Sequence, residues 1–289
     1  MDKLIIGCGY LGRRVAARWL AQGHTVHGLT RDRSAELQAL GIRPIVGDVR
    51  ELLDLSSLPP AETVLYAIAP GRQDGQTPDE VWLSGLGNLM AFLPDWPLRP
   101  RLLFISSTSV YGQTGGEEVN ECAPTTPQEA AGQTLLRAEA FLKSDWPDAV
   151  VLRFAAIYGP GRLLRSIVIQ AGEPIVADPD KWLNLIHVED GADAVLAAEA
   201  RGRASTIYNV SDGHPVRRRD FYARMAELLG APAPRFALPS PGTKLPHETA
   251  NRRICNRRML DELEVHLRYP DYEAGLRGSI ETRTDQQDA

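Results

Sequence analysis

Cysteine is scarce: Cys8, Cys122 and Cys255 are odd in number and far apart across 289 residues. That spacing offers neither a disulfide framework nor a metal-ligand pattern, and it suits a reducing compartment. Charge of one sign is also lacking. With 32 Lys and Arg against 37 Asp and Glu, the formal net charge is −5 at pH 7, so no nucleic-acid partner and no anionic-membrane footprint is expected, despite local arginine clusters. No uncharged apolar run approaches the length of a membrane span, and strand-like Lys3-Leu4-Ile5-Ile6 starts too near Met1 to leave room for a signal peptide. A cytoplasmic location is the expectation. No internal repeat is evident. What is present is an apolar content of 43%, enough to bury the core of one large domain, or of a large lobe with a smaller one.

The first two-thirds of the chain alternates short apolar runs with helical patterns. The runs are LIIG (4–7), TVHGL (25–29), RPIV (43–46), TVLYAIA (63–69), RLLFIS (101–106) and AVVLRF (149–154). Runs apolar on both faces and separated by helices predict a parallel, doubly wound sheet. Leu11, Val15 and Trp19 share one face of the first helix, and Gly23 is placed to end it. After residue 155 the rhythm loosens. A helix-like RLLRSIVIQAG (162–172) precedes a strand WLNLIHV (182–188), a helix DGADAVLAAEA (190–200), a strand TIYNV (206–210) and the amphipathic FYARMAELLG (221–230). A Pro-rich stretch at 231–246 breaks regular structure before an Arg-rich helical segment, and TRTDQQDA (282–289) reads as a disordered tail.

Between the first strand and the first helix lies Gly7-Cys8-Gly9-Tyr10-Leu11-Gly12. A GxGxxG in that context is a dinucleotide-binding fingerprint of Rossmann-like α/β folds. Gly7 permits the tight turn, Gly9 lets the backbone approach a pyrophosphate, and Gly12 lets helix and strand pack closely; Tyr10 and Leu11 open the helix whose N-terminus would hold the phosphates. At the end of the second strand no acid stands ready for the ribose hydroxyls of NAD. Arg31 stands there instead and can pair with the 2′-phosphate of NADP, which makes NADP the expected cofactor. A solvated loop arginine is the plainer alternative, and Asp32 could approach the ribose if the strand ends one residue later.

Several stretches in order resemble the extended short-chain dehydrogenase/reductases of the NAD-dependent epimerase/dehydratase type: the glycine loop, Gly47-Asp48-Val49, Ala67-Ile68-Ala69, SSTSVYG (106–112), LRFAAIYGPG (152–161), LIHVEDGADAV (185–195) and IYNVSDG (207–213). The likeness covers nearly the whole chain. It implies that Asp48 and Val49 contact adenine, that Ala67, Ile68 and Ala69 line the cofactor beyond the pyrophosphate, that Ser107 occupies the position of a catalytic Ser or Thr, and that Tyr158 to Pro160 border the nicotinamide. Asp48 could equally cap a turn. Tyr111 and Tyr158 are phenols that could approach the nicotinamide or pack as core aromatics. His187 reads as a buried structural imidazole, and Asp190 as an N-cap for a helix from Gly191.

The resemblance fails at one place. The family carries Tyr and Lys four residues apart on the helix after the active-site strand; aligning on Ala138-Glu139 puts Ala131 and Leu135 at those positions. Neither side chain can exchange a proton or hold an ammonium beside the nicotinamide ribose. Gln133 and Arg137 repeat the spacing two positions on, which turns them about 200° away. The carboxylates of the family's sugar dehydratases are also missing at Thr108 and Ser109.

The resemblance divides the chain into a dinucleotide-binding domain over 1–155, which also receives about 185–212, and a smaller substrate-binding lobe from 156–184 and 213–281. In the lobe, Arg252-Arg253 and Arg257-Arg258 lie in a helical pattern; an arginine from this region holds the diphosphate in related nucleotide-sugar enzymes, while a solvated basic face is the alternative. Arg217 to Arg219 read as surface charge. The implied substrate is a small molecule, phosphorylated or nucleotide-linked, and oligomeric state stays open. Two functions remain: an NADP(H)-dependent oxidoreductase or epimerase-like enzyme with a non-standard active site, or a non-catalytic NADP(H)-binding sensor or regulatory protein.

Overall fold

Apolar runs without polar alternation need cover on both faces, and the sheet they build has it. A computed structural model describes residues 1–71, 75–238, 240 and 248–287, with side chains through Glu281. Strands β1 (Asp2–Ile6), β2 (Thr25–Thr30), β3 (Arg43–Val46), β4 (Thr63–Tyr66), β5 (Arg101–Ser107), β6 (Val150–Phe154) and β7 (Ile207–Val210) form a seven-stranded parallel sheet in the order β7-β6-β5-β4-β1-β2-β3. Ile6 of β1 pairs with Leu29 of β2 on one side and Tyr66 of β4 on the other. Strand order reverses between β1 and β4, so a crevice opens beyond the carboxyl ends of these strands.

Helices α1 (Tyr10–Ala21), α2 (Ser34–Ala39), α3 (Gly85–Met90), α4 (Ala130–Asp145), α5 (Ser166–Gln170), α6 (Val188–Arg201), α7 (Arg218–Leu228), α8 (Arg257–Leu263) and α9 (Tyr272–Gln287) complete the main elements. On one face of the sheet, Leu11, Val15 and Trp19 of α1 and Ala194 and Val195 of α6 bury against Ile5 and Leu152. On the other, Leu86 and Leu89 of α3 and Leu135 and Leu142 of α4 bury against Leu4, Val64 and Phe104. Each fully buried side chain of this size contributes about 2 kcal/mol. Arg14–Glu189 at 2.7 Å and Arg18–Asp193 at 2.5 Å then tie α1 to α6. A third buried cluster gathers Tyr158, Ile169, Ile175, Leu185, Phe221, Met225 and Leu276.

Some expectations need correction. Arg252–Ile254 is a strand paired in parallel with Glu117–Val119, because burial of Val119 and Ile254 in the core outweighs the helical pattern of the arginines; the helix starts only at Arg257. The helix-like 162–172 shortens to α5, since Arg165 at φ 61° is left-handed and blocks helix before Ser166. Asp190 is no N-cap. Helix α6 starts at Val188 with His187 as its cap, and the carboxylate of Asp190 accepts the backbone N–H groups of Arg268 and Tyr269 at 2.8 and 3.0 Å. The stretch expected to fray after residue 281 continues as helix to Gln287. Part of the Pro-rich stretch, residues 239 and 241–246, lies outside the described residues.

Candidate functional site

The turn after β1 is built from close approaches. Gly7 has φ +90°, and a Cβ there would lie 2.6 Å from the Cα of Ile68, so the first turn of the loop rests on the continuation of β4. A Cβ on Gly12 would lie 2.9 Å from Gly7 O and 3.2 Å from Ile5 Cγ2, which seats α1 directly on β1. Gly9 is different. A Cβ there meets no heavy atom within 4 Å, so the space above its backbone is open. Gly9 is also the N-cap of α1, with no side-chain cap and no acid in the first turn. The first N–H groups of a helix lack intrahelical acceptors, and among the described residues no side chain caps them. An open cradle over an uncapped, partly positive helix end fits a pyrophosphate.

The residues named with the loop divide. Leu11 is buried in the core, so only its backbone can serve a ligand. Tyr10 donates from its hydroxyl to Pro160 O at 3.0 Å, and its ring lies 4.2 Å from the Arg14 guanidinium and 5.3 Å from that of Arg162. Its side chain thus joins the glycine loop to the 159–162 turn. Cys8 points inward, where burial pushes its thiol up to about 12 and makes it inert.

Along the crevice, Ala67 continues the β4 ladder by donating to Ile6 O at 2.8 Å, and Trp82 Nε1 donates to Ile68 O at 2.9 Å. Ala67 and Ile68 are half-buried and Ala69 is exposed, so this edge stays open. At the far end, Gly47 N–H donates to Thr30 O at 3.0 Å and sets the loops after β2 and β3 side by side. Arg31 is exposed there and close enough to Asp48 to help hold its carboxyl below the usual range, after the stronger hydrogen bonds from Arg50. Asp48 also accepts the N–H of Arg50 at 3.0 Å, the turn cap that sequence allowed. Val49 is 1% exposed and packs under Gly85, so only its backbone can serve a nucleotide.

At the end of β5, Ser107 Oγ accepts the Ser109 N–H at 3.1 Å and caps a single turn, Thr108–Val110. Helix α4 rides on that turn, since a Cβ on Gly132 would lie 2.6 Å from Ser109 O. Ala131 is half-buried beside it, and Leu135 is 1% exposed in the core. Gln133 donates to Pro127 O at 3.3 Å, and Arg137 pairs with Asp79 at 2.5 Å on the surface, so neither replaces the missing groups. Tyr111 is a core residue: its hydroxyl donates to Asn209 Oδ1 at 2.8 Å and accepts from Arg153 at 2.9 Å.

Tyr158 is also core, the packed-aromatic alternative that its sequence allowed. It is fully buried, its ring stands edge-on to His187 and Phe221, and its hydroxyl has no hydrogen-bond partner among the described residues. Burial first, then the negative charge of Asp212, raises its pKa, so ionisation is strongly disfavoured. His187 is the structural imidazole expected, lying 3.2 Å from Ser279 Oγ through Nε2 and accepting Glu189 N–H through Nδ1 at 3.3 Å. Burial lowers it to about 4.

One group was not singled out on its own by sequence. Arg252 reaches the back of the Ser107 turn, donating to Thr108 O at 2.6 Å, while its buried Nε has no acceptor among the described residues. Desolvation lowers it to about 10, against the pull of Tyr111 and Glu129. Strand geometry turns the adjacent Arg253 to the other side, where it donates to Gly116 O at 3.0 Å and lines a cavity of about 450 Å³ with Glu118, Arg257 and Asp261. No glycine-loop residue and no part of the Ser107 turn lines that cavity. Among the described residues no group of three or more His, Cys, Asp or Glu is arranged to hold a metal, and no helix is long and apolar enough to cross a membrane.

Known proteins share this architecture. The profile of the NAD dependent epimerase/dehydratase family matches residues 4–211. Protein YeeZ of Escherichia coli (strain K12) is 32% identical over 278 residues, covering 92% of this chain and 96% of its own. A conserved protein of unknown function from Silicibacter pomeroyi is 29% identical with a TM-score of 0.80, covering 97% of this chain and 98% of its own. UDP-glucose 4-epimerase of Thermotoga maritima, solved with UDP-glucose, superposes with a TM-score of 0.85 over the whole of both chains at 18% identity, which shows the shared fold. With the family profile covering the sheet and its crevice, the chain belongs to the NAD dependent epimerase/dehydratase family, whose members include epimerases, dehydratases and reductases.

Proposed function

We propose that this chain is a cytoplasmic NADP(H)-dependent oxidoreductase with a non-standard active site. The observation that carries the reading is the open cradle at Gly9 under the uncapped start of α1, with Arg31 at the end of β2. The α1 N–H groups hold the pyrophosphate, Arg31 pairs with the 2′-phosphate, and Ala67 to Ala69 line the path toward Ser107. When bound, the dinucleotide would supply or accept hydride at its nicotinamide. Ser107 accepts the Ser109 N–H, which leaves its own hydroxyl proton to donate to a substrate oxygen. It orients a carbonyl; its acidity is too low for an effective base near neutral pH. A phosphorylated or nucleotide-linked small molecule is the substrate class the family resemblance implies.

Titration of NADPH and NADH against wild type and Arg31→Ala tests the cofactor assignment. NADPH should bind more tightly, and the variant should lose most of the difference, on the order of 1 to 3 kcal/mol. Equal affinities in the wild type would sink it.

Ala131 and Leu135 favour a second reading, a non-catalytic NADP(H)-binding sensor or regulatory protein. Broad carbonyl and alcohol panels with NADPH separate the two. Turnover that falls sharply in Ser107→Ala supports the enzyme with Ser107 in its site, while tight cofactor binding without turnover supports the sensor. Robust turnover indifferent to Ser107→Ala would place the chemistry on another residue.

A further inference from the structure

The arginines of the Arg252-Arg253 and Arg257-Arg258 motif find different company in the fold. Arg252 donates to Thr108 O at 2.6 Å, and Arg258 donates to Ile207 O at 3.1 Å. Arg253 and Arg257 instead line the cavity of about 450 Å³, together with Glu118 and Asp261. That volume lies within the roughly 300–1,000 Å³ of small-molecule pockets. One wall is fixed by Asn256, which is 7% exposed and donates from Nδ2 to Ser211 O at 2.7 Å. Gly213 closes against it at φ +76°, where a Cβ would lie 2.6 Å from Asn256 Oδ1.

The four charges make two pairs that the backbone brings together and the side chains leave open. Arg253 and Glu118 are partners in the parallel pairing of strand Arg252–Ile254 with strand Glu117–Val119, so their side chains leave the same face. Arg257 and Asp261 stand one turn apart on α8, which sets their Cβ atoms roughly 5–6 Å from each other. Neither pair closes. Arg253 turns its Nε to Gly116 O at 3.0 Å, with its guanidinium 5.9 Å from the Trp182 ring. Among the described residues, Glu118, Arg257 and Asp261 form no ion pair. Arg before Asp is the weaker order for a helical pair, which favours the open arrangement. A simple anion in this cavity gains from the guanidiniums and loses to the carboxylates, and a simple cation does the reverse. A molecule carrying both signs on adjacent groups satisfies both at once.

We propose that this cavity binds a free α-amino acid with an apolar side chain, its carboxylate held by Arg253 and Arg257 and its ammonium by Glu118 and Asp261. Pro215 and Leu260, the latter 37% exposed, offer the apolar surface for the side chain. No residue of the glycine loop or of the Ser107 turn lines the cavity, so the site stands whether or not the crevice takes NADP(H). Exposed charges contribute little each, which sets the expected dissociation constant on the order of 1 mM.

Saturation-transfer NMR on the full chain tests this, with L-leucine and L-phenylalanine as probes against N-acetyl-L-phenylalanine, L-phenylalaninamide and inorganic phosphate. Both amino acids should bind, and the N-acetyl and amide forms, which each lack one charge, should bind roughly tenfold more weakly. Arg257→Gln should weaken L-phenylalanine about fivefold and remove its advantage over the amide, because the carboxylate has lost a partner. Asp261→Asn should remove its advantage over the N-acetyl form. Both positions are exposed, so thermal melts of the two variants should stay close to wild type. Saturating NADPH should leave amino-acid binding unchanged. The proposal is overturned if neither amino acid binds at about 20 mM, or if phosphate or the N-acetyl form binds as tightly as L-phenylalanine, which would make this a simple anion site. Displacement by NADPH would put the amino acid in the crevice, and affinity unchanged in both variants would put it elsewhere on the surface; either result also overturns it.

Discussion

Single residues in the glycine loop do separable jobs. Gly7 is required by the fold, because its φ of +90° and the Ile68 backbone 2.6 Å from any Cβ leave no place for a side chain. Gly7→Ala should therefore lose about 1 to 3 kcal/mol in denaturant unfolding whether or not cofactor is present. Gly9 has φ −94° and open space around it, so Gly9→Val should fold with a melting temperature close to wild type. Its branched side chain would fill the cradle, and NADPH affinity should fall by roughly a hundredfold or more, measured by calorimetry. Wild-type affinity in Gly9→Val would show that the loop is no phosphate cradle. The GxGxxG spacing made these three positions legible, but only the folded chain separates the glycine that the backbone needs from the one that a ligand needs.

At the scale of elements, the end of β5 is held by a buried polar network. Ser106 Oγ donates to Glu139 at 2.6 Å, Arg153 forks onto the same carboxylate at 3.0 and 2.6 Å, and Arg153 also donates to Tyr111 at 2.9 Å. Glu139 comes from α4 and Arg153 from β6, so the network fixes α4 against the strand that presents Ser107. Both partners are about 5% exposed. Replacing one leaves the other charged and buried; Arg153→Met should cost about 3 to 5 kcal/mol by chemical denaturation, and adding Glu139→Gln should recover part of it. No recovery in the double variant would mean that packing and not charge pairing holds the junction. The Ala138-Glu139 ending was readable along α4, whereas its partners on β5 and β6 were not, since pairing across a parallel sheet leaves no local spacing. The same core explains why Leu135→Lys would be costly: the ammonium would start at a site 1% exposed.

Across the whole molecule, two buried groups pull stability in opposite directions with pH. Asp212 is 3% exposed with Oδ2 unpartnered among the described residues, and burial raises it from 3.8 to about 7, helped by Asp271 and Asp190. The folded state binds this proton more tightly than the unfolded state, so stability is lost as pH rises from about 4 to 7 and levels off above, by at most about 4 kcal/mol. His187 is lowered by burial from 6.5 to about 4, with Glu189 opposing and Arg14 adding to the shift. It stays neutral in the fold, so its contribution is full above pH 6.5 and is lost as pH falls toward 4, by at most about 3 kcal/mol. The two nearly offset in one window. Asp212→Asn should remove the first and unmask a fall in stability on acidification from pH 6.5 to 4, followed by urea unfolding at stepped pH. A variant whose pH profile overlays that of wild type would show that Asp212 does not titrate there.

Local pattern determined the alternating strands and helices, the βαβ opening and the family, because the periodicity of apolar residues and the spacing of Gly7, Gly9 and Gly12 are properties of neighbours along the chain. The absence of a Tyr and a Lys at 131 and 135 was equally visible there. Only the tertiary structure decided which side chains meet: that Tyr158 and Val49 are core, that Arg252 lies on a strand and reaches Thr108, that Asp190 holds residues 268 and 269, and that Arg50 occupies the carboxylate of Asp48. Burial and long-range partners settle these roles. A buried charge takes whichever partner the packing brings within hydrogen-bond reach, and that partner can lie 78 residues away, as it does between Asp190 and Arg268.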